Sequence, residues 1–230
     1  MAALRQIPIA FGGLARHNVA NALAAAGGAR ALGASIEDVG RGLVDFRPSA
    51  DTSPGRLNVF RHGRRVVIVD FAHNEAGVNA VLDVAEGIAA GAAGRTAPIT
   101  LVIGTAGDRP DDTLRGMGRI AARRAQRIAI KETIHYLRGR TRESVVGELL
   151  DGLVAGGVSR DQVPVYESET AALRAEANGA VGGGPRVIVL LCHEDRPGVM
   201  TLLGELGFRG VESPAELEAL VPRLEERPRR

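Results

Sequence analysis

Cysteine and tryptophan are all but missing from this chain: its 230 residues include one cysteine, Cys192, no tryptophan, and 3% aromatics in total. A lone cysteine excludes an internal disulfide framework and suits a reducing compartment. With so few rings, the core has to be aliphatic, and the abundance of Ala and Gly implies closely packed helices. Lysine is nearly absent too. Lys131 is the single one, so the basic character is carried by arginine. The formal net charge is only +2, and no basic stripe interleaved with aromatics is visible, which argues against a nucleic-acid partner. No apolar run approaches the roughly 20 residues that cross a bilayer. The opening segment "MAALRQIPIAFGGLARHN" lacks the apolar centre of a signal peptide. The expectation is a cytoplasmic protein without a membrane partner.

Several catalytic signatures are missing as well. There is no GxxxxGK[ST] phosphate loop, and no Cys/His spacing of the kind that binds zinc. "GTAG", Gly104 to Gly107, is not a GxGxxG fingerprint and follows the wrong strand for one, which disfavours a Rossmann-type dehydrogenase. In "CHED", Cys192 to Asp195, four adjacent residues after a strand cannot all converge on one metal. Adjacent Cys and His in extended chain also point to opposite faces, against a nucleophile pair. A structural or loop role is the reading there.

What is present has a clear rhythm. Leu14–Leu32 is rich in Ala and Leu and reads as a helix, and "SIEDVGRGL" as a shorter one with Ser35 as N-cap and Asp38 three places on. "RPSADTSPGR" then concentrates Pro, Ser and Gly as a linker does, which places a boundary near Ser49–Pro54. "RLNVF" and "RVVIVD" flank "RHG" as a hairpin. Beyond it, strands at Ile99–Ile103, Arg127–Ile130, Val163–Tyr166 and Val187–Leu191 alternate with helices. Those are placed at Ala76–Ala89, Asp112–Arg124, Thr141–Val154, Glu169–Asn178 and Pro197–Leu206. Continuously apolar strands separated by amphipathic helices indicate a mostly parallel sheet covered on both faces, an α/β, Rossmann-like, doubly wound domain. The charged end, "LVPRLEERPRR", is expected to fray.

In such sheets ligands gather at the carboxyl ends of the strands. Two ends here carry polar chemistry: "VIVDFAHNEAG", with Asp70, His73, Asn74 and Glu75, and "LVIGTAGDRPDD", with Asp108 and Arg109. A carboxylate in this position suits a ribose diol, and a His or Asn beside it suits a base or phosphate. The alternative is that Asp70 and Asp108 merely cap the next helix.

Three segments together resemble the Mur ligase family, including its cyanophycin synthetase-like members. "ARHNVANALAAAGGARALG", Ala15 to Gly33, is similar to the helix that closes their central ATPase domain. "PGR" followed by "VVIVDFAHNEAG" is similar to the start of their C-terminal domain. "GTAGDRPDDTLRGMGRIAARRAQRIAIKE" with "LRGR" extends the likeness. The resemblance implies that residues 1–50 are the helical tail of a central ATPase domain whose P-loop part is absent, and residues 51–230 a C-terminal Rossmann-like domain. It implies ATP-dependent amide-bond formation through an acyl phosphate, with ATP held between central and C-terminal domains. Asn21 would contact adenine, with His17 and Asn18 nearby. Arg56 would reach phosphate, with pairing to Asp51 as the bland alternative. Asp70 would hold the ribose, and His73 and Asn74 would lie beside the nucleotide or the hinge. Asp108, Arg109, Arg138 and Arg140 are weaker substrate candidates, the last two set against a solvated loop. No residue here is expected to be catalytic by itself, and the ligands of Mg2+ would lie in the missing domain. The partners implied are ATP, an amino acid, and the remaining ligase domains in cis or trans.

Two departures stand out. Glu75 replaces the proline usual after "AHN", which implies a looser loop. "KETIHYLRGR" stands where the diaminopimelate-adding ligase has its Asp-Asn-Pro-Arg segment, which disfavours diaminopimelate as substrate. The alternative to a ligase piece is a non-catalytic module that binds a nucleotide or a partner.

Overall fold

The strands of the computed structural model show their two-sided burial residue by residue, within a description covering residues 3–91, 97–178 and 184–220. Val66 and Ile68 of β2 (Arg65–Asp70) join one apolar cluster, and Val67 and Val69 the other. β3 (Ile99–Ile103), β4 (Arg127–Lys131) and β6 (Arg186–Leu191) divide in the same way. Side chains alternate across a strand, so a continuous apolar run is buried only if both faces are covered.

The coverage comes from α3 (Glu75–Gly91), α4 (Asp111–Arg124) and α5 (Arg142–Ala155) on one face. On the other lie α6 (Glu169–Asn178) and α7 (Arg196–Glu205). With β1 (Asn58–His62), the two-residue β5 (Val165–Tyr166) and β7 (Arg209–Gly210), the sheet has seven strands in the order β5-β4-β3-β6-β2-β1-β7. β1 runs antiparallel to β2 and to β7; the other pairings are parallel. This is the doubly wound α/β arrangement the sequence implied.

Local chemistry explains most boundaries. Ser35 caps α2 (Ile36–Asp45) by accepting from the Asp38 N–H at 3.0 Å. The strand expected at Val163–Tyr166 pairs only at Val165 and Tyr166. Pro164 has no N–H to give the ladder, and Val163 is drawn into a 3-10 turn by its N–H bond to Arg160 O. The structure adds β7 and the short α8 (Pro214–Leu220) to the elements expected from the sequence. The charged end from residue 221 lies outside the described residues.

The first residues do not stand apart from this core. Phe11 and Ala15 belong to the same apolar cluster as Leu57 and Val81. Leu14 lies where a side chain on Gly87 of α3 would have to go. By contrast α1 (Arg16–Ala31) buries only Ala22, and Leu23 and Leu32 are 69% and 91% exposed.

Candidate functional site

The carboxyl end of β2 opens on a cleft of about 290 Å³ between α1, the linker and the start of α3. His17, Asn18 and Asn21 reach it from α1, Arg56 from the linker, and Asp70, His73 and Asn74 from the strand end. The structure therefore gathers all seven residues of the expected nucleotide set around one cavity.

Asp70 forms the floor. Its Oδ2 accepts the Leu57 N–H at 2.9 Å and its Oδ1 the Ala72 N–H at 2.8 Å. Burial pushes its carboxyl above the ordinary range, opposed by those two N–H groups and by Arg56. Leu57 holds a left-handed φ of 49° while making its bond, and strain of this kind collects where surrounding structure fixes a functional geometry. Asp70 is thus no helix cap. That task falls to Asn74, whose Oδ1 accepts the Gly77 N–H at 2.8 Å.

Glu75 then occupies the first position of α3. Proline is favoured there because its missing N–H is an orphan anyway, and an acid is favoured by the helix dipole. With glutamate in the proline's place, the Asn74 cap of α3 is still made. Glu75 also lies over Gly116 of α4, where any side chain would overlap its carboxylate.

On the opposite wall Asn18 donates to Ile9 O at 3.1 Å, and exposed Asn21 donates to Asn18 Oδ1 at 3.3 Å, so the amide among alanines finds its partner one turn away. Burial lowers the pKa of His17, with Asp70 and Asp83 opposing. His73 Nδ1 lies 3.0 Å from Phe71 O. Arg56 is exposed, and its guanidinium lies over the Phe71 ring at 5.2 Å rather than on Asp51.

Asp108, Arg109, Arg138 and Arg140 are not brought to this cleft. Arg140 donates to Asp111 Oδ1 at 2.7 Å and to Ser144 Oγ, tying the loop after β4 to α4 and α5. Arg138 lies over Tyr136 with φ 52°. Asp108 pairs with its neighbour Arg109 at 3.6 Å and does not cap α4, whose N-cap is Pro110. The glycine turn "GTAG" is packed rather than open: Gly107 donates its N–H to Tyr136 O, and Gly104 lies against Lys131.

A second polar cluster sits behind the cleft wall. Lys131 Nζ is 2.7 Å from Glu169 Oε1 and 2.9 Å from His193 Nδ1, all buried. Glu169 also accepts the N–H groups of His193, Glu194 and Asp195 and the Cys192 thiol. An ammonium has only donors, so His193 Nδ1 accepts, and its Nε2–H donates to Ala72 O at 3.0 Å. Burial would raise the Glu169 carboxyl, but Lys131 and the N–H donors outweigh it and hold it well below the ordinary range. Burial and Lys131 keep His193 neutral, and burial with Glu169 pushes the Cys192 thiol up. "CHED" is therefore a loop knotted onto Glu169, with Asp195 capping α7 through the Gly198 N–H. The sequence signal for this cluster was the sole lysine, set in the apolar strand "RIAIK".

Among the described residues, no cluster of three or more His, Cys, Asp or Glu is able to hold a metal ion, and no helix is long and apolar enough to cross a membrane.

Comparison with known proteins places the chain in a family. Residues 55–192, more than half of the chain, match the family described as "Mur ligase, glutamate ligase domain". Cyanophycin synthetase of Crocosphaera subtropica is 36% identical over 182 residues, 79% of this chain and 20% of that protein. The UDP-N-acetylmuramoyl-L-alanyl-D-glutamate–2,6-diaminopimelate ligase of Alkalilimnicola ehrlichii is 31% identical over 209 residues, 84% of this chain and 38% of that one. The chain thus spans between a fifth and two-fifths of the length of these relatives. Among solved structures, a murein peptide ligase from Psychrobacter arcticus shares the fold, with a TM-score of 0.54 at 20% identity, covering 83% of this chain and 37% of that one. On the family match over residues 55–192, this chain belongs to the Mur ligases.

Proposed function

We propose that the chain is the C-terminal portion of a cytoplasmic, ATP-dependent ligase that joins an amino acid to a carboxylate through an acyl phosphate. Residues 51–230 form its C-terminal domain, and residues 1–50 are the tail of the central ATPase domain. The reading rests on one observation above the rest: His17, Asn18, Asn21, Arg56, Asp70, His73 and Asn74, from three separate segments, line one cleft.

The donor set fits a nucleotide. Each Asp70 oxygen keeps a lone pair after accepting one N–H, so the pair suits the two hydroxyls of a ribose. The Arg56 guanidinium at the exposed lip suits phosphate oxygens. At about 290 Å³ the cleft is at the lower end of the ~300–1,000 Å³ of small-molecule sites, as suits one wall of a site that a second domain completes. Positioning and charge neutralisation dominate phosphoryl transfer, so a wall that orients the nucleotide contributes without a catalytic side chain. Mg2+ would be held by the domain this sequence lacks. That the relatives at similar identity include cyanophycin synthetases and a diaminopimelate ligase supports an amino acid as the incoming amine.

The test is amino-acid-dependent phosphate release by the chain joined to a P-loop ATPase domain encoded beside it, with Asp70→Ala as control. The joined protein is expected to release phosphate, the chain alone to release none, and Asp70→Ala to raise the KM for ATP. Turnover by the chain alone would sink the proposal. ATP binding without any ligation in the joined protein would favour a non-catalytic nucleotide-binding module.

A further inference from the structure

Arg196 opens α7, on the far face of the sheet from α3, and nothing in the cleft argument uses it. Its guanidinium nevertheless lies over the Phe71 ring at 5.8 Å, the same ring that carries Arg56 at 5.2 Å. Its NH1 donates to Pro54 O at 3.2 Å. Its aliphatic stem covers Gly55, where a side-chain carbon would sit 3.0 Å from Arg196 Cδ. Gly55 has φ +71° and donates its N–H to Asn58 Oδ1 at 2.6 Å, so the turn is pinned from within the hairpin as well. Arg196 thus touches the two residues before Arg56 and the ring beneath it.

Two guanidiniums on one phenyl ring repel each other, and among the described residues neither has a carboxylate within ion-pair distance. The arrangement holds because arginine stacks on a ring and donates in its plane at once, which the point charge of lysine does not. Asp70, on which Arg56 acts electrostatically, offsets part of this charge, and an anion arriving at the lip relieves more of the repulsion.

We propose that Arg196 is a positioning residue: by holding Pro54 O, Gly55 and Phe71, it sets the turn from which Arg56 projects over the cleft. The part that concerns nucleotide rests on the reading of the cleft given above; the part that concerns the turn does not.

Two measurements on the 230-residue chain separate these parts. In the first, brief trypsin digestion with mass spectrometry compares cleavage after Arg56 with cleavage after Arg41 on α2. Arg196→Ala is expected to raise the relative cleavage at Arg56 by about fivefold or more, the factor a cation–π contact of ~1 kcal/mol represents. Arg196→Lys is expected to behave like Arg196→Ala. Unchanged cleavage in Arg196→Ala, or full protection in Arg196→Lys, overturns the proposal. In the second, Mg-ATP is titrated into wild type, Arg56→Ala, Arg196→Ala and the double variant. Each single change is expected to weaken binding by about fivefold, and the double change to be no worse than Arg56→Ala alone, the non-additivity of residues that act as one unit. Additive losses would show that Arg196 acts on its own and overturn the positioning role. Failure of wild type to bind ATP would count against the nucleotide cleft, while the cleavage result still decides whether Arg196 sets the turn.

Discussion

Lys131 and Glu169 form an ion pair shut away from water, Nζ to Oε1 2.7 Å, with side chains 0% and 1% exposed. Removing one partner of such a pair leaves the other charge buried and unpaired, at a cost of about 3–5 kcal/mol. Lys131→Met is therefore expected to lower unfolding stability in urea by that amount. Arg174→Met, on the pair with Glu205 that is exposed on both sides, is expected to cost less. Equal losses would mean that water reaches Lys131.

The same cluster sets an acid limit. His193 has its pKa lowered by burial and by Lys131, so between its ordinary value of 6.5 and its folded value the unfolded chain binds more protons. Stability is then lost as pH falls below about 6.5. Glu169, with a depressed pKa, adds its loss only at lower pH, as the fall passes the ordinary carboxylate range. Denaturation midpoints across pH 4.5 to 7 are expected to slope downward toward acid, and His193→Gln to flatten the upper half of that slope. His17, lowered by burial in the same direction, is the control, and His17→Gln is expected to flatten it less.

Close packing of α4 on α5 depends on glycine. A side chain on Gly118 would overlap Leu149 O, and one on Gly152 would overlap Arg115 O. Each change to alanine is expected to cost about 1–3 kcal/mol by overpacking. Gly147, on the same helix as Gly152, faces open space. Gly147→Ala is expected to stabilise by about 0.5–1 kcal/mol through lost backbone freedom in the unfolded chain. Thermal melts of the three variants provide the check.

Leu23 of α1 and Leu32 just after it are the large apolar side chains there that the described residues leave mostly uncovered. Leu23→Glu and Leu32→Glu are expected to leave unfolding stability within about 0.5 kcal/mol of wild type and to reduce self-association seen by light scattering. If either change destabilises the fold, α1 is packed in solution in a way the structure does not show.

Strands and helices were legible because burial on both faces writes itself as unbroken Val, Ile and Leu runs, as in "VVIV" and "ITLVI". The cleft set was legible because resemblance marked its segments; spacing alone joins Asn21 to Asp70 no better than to Asp108. Contacts between distant loops were not legible. Nothing local in Lys131, Glu169 or His193 announces the others, since they meet only once β4, α6 and β6 are docked. Asp70 and Asn74 illustrate the same limit at short range. Either was a fair cap for α3, and only the fold assigns Asn74 to it and turns Asp70 toward Leu57 and Ala72.

Cys192 follows the last residue of β6, the strand that pairs with both β2 and β3, and it is fully buried. Because the chain has no other thiol, a thiol-specific reagent reads this junction alone. A thiol held in its protonated form by burial and by Glu169 reacts only after the packing of α6 and α7 around it has opened. The molecule thus carries a built-in clock for its own opening. Its labelling half-life gives the time for which the packing around the end of β6 stays closed, and a longer half-life in ATP is the outcome expected of the proposed nucleotide reading.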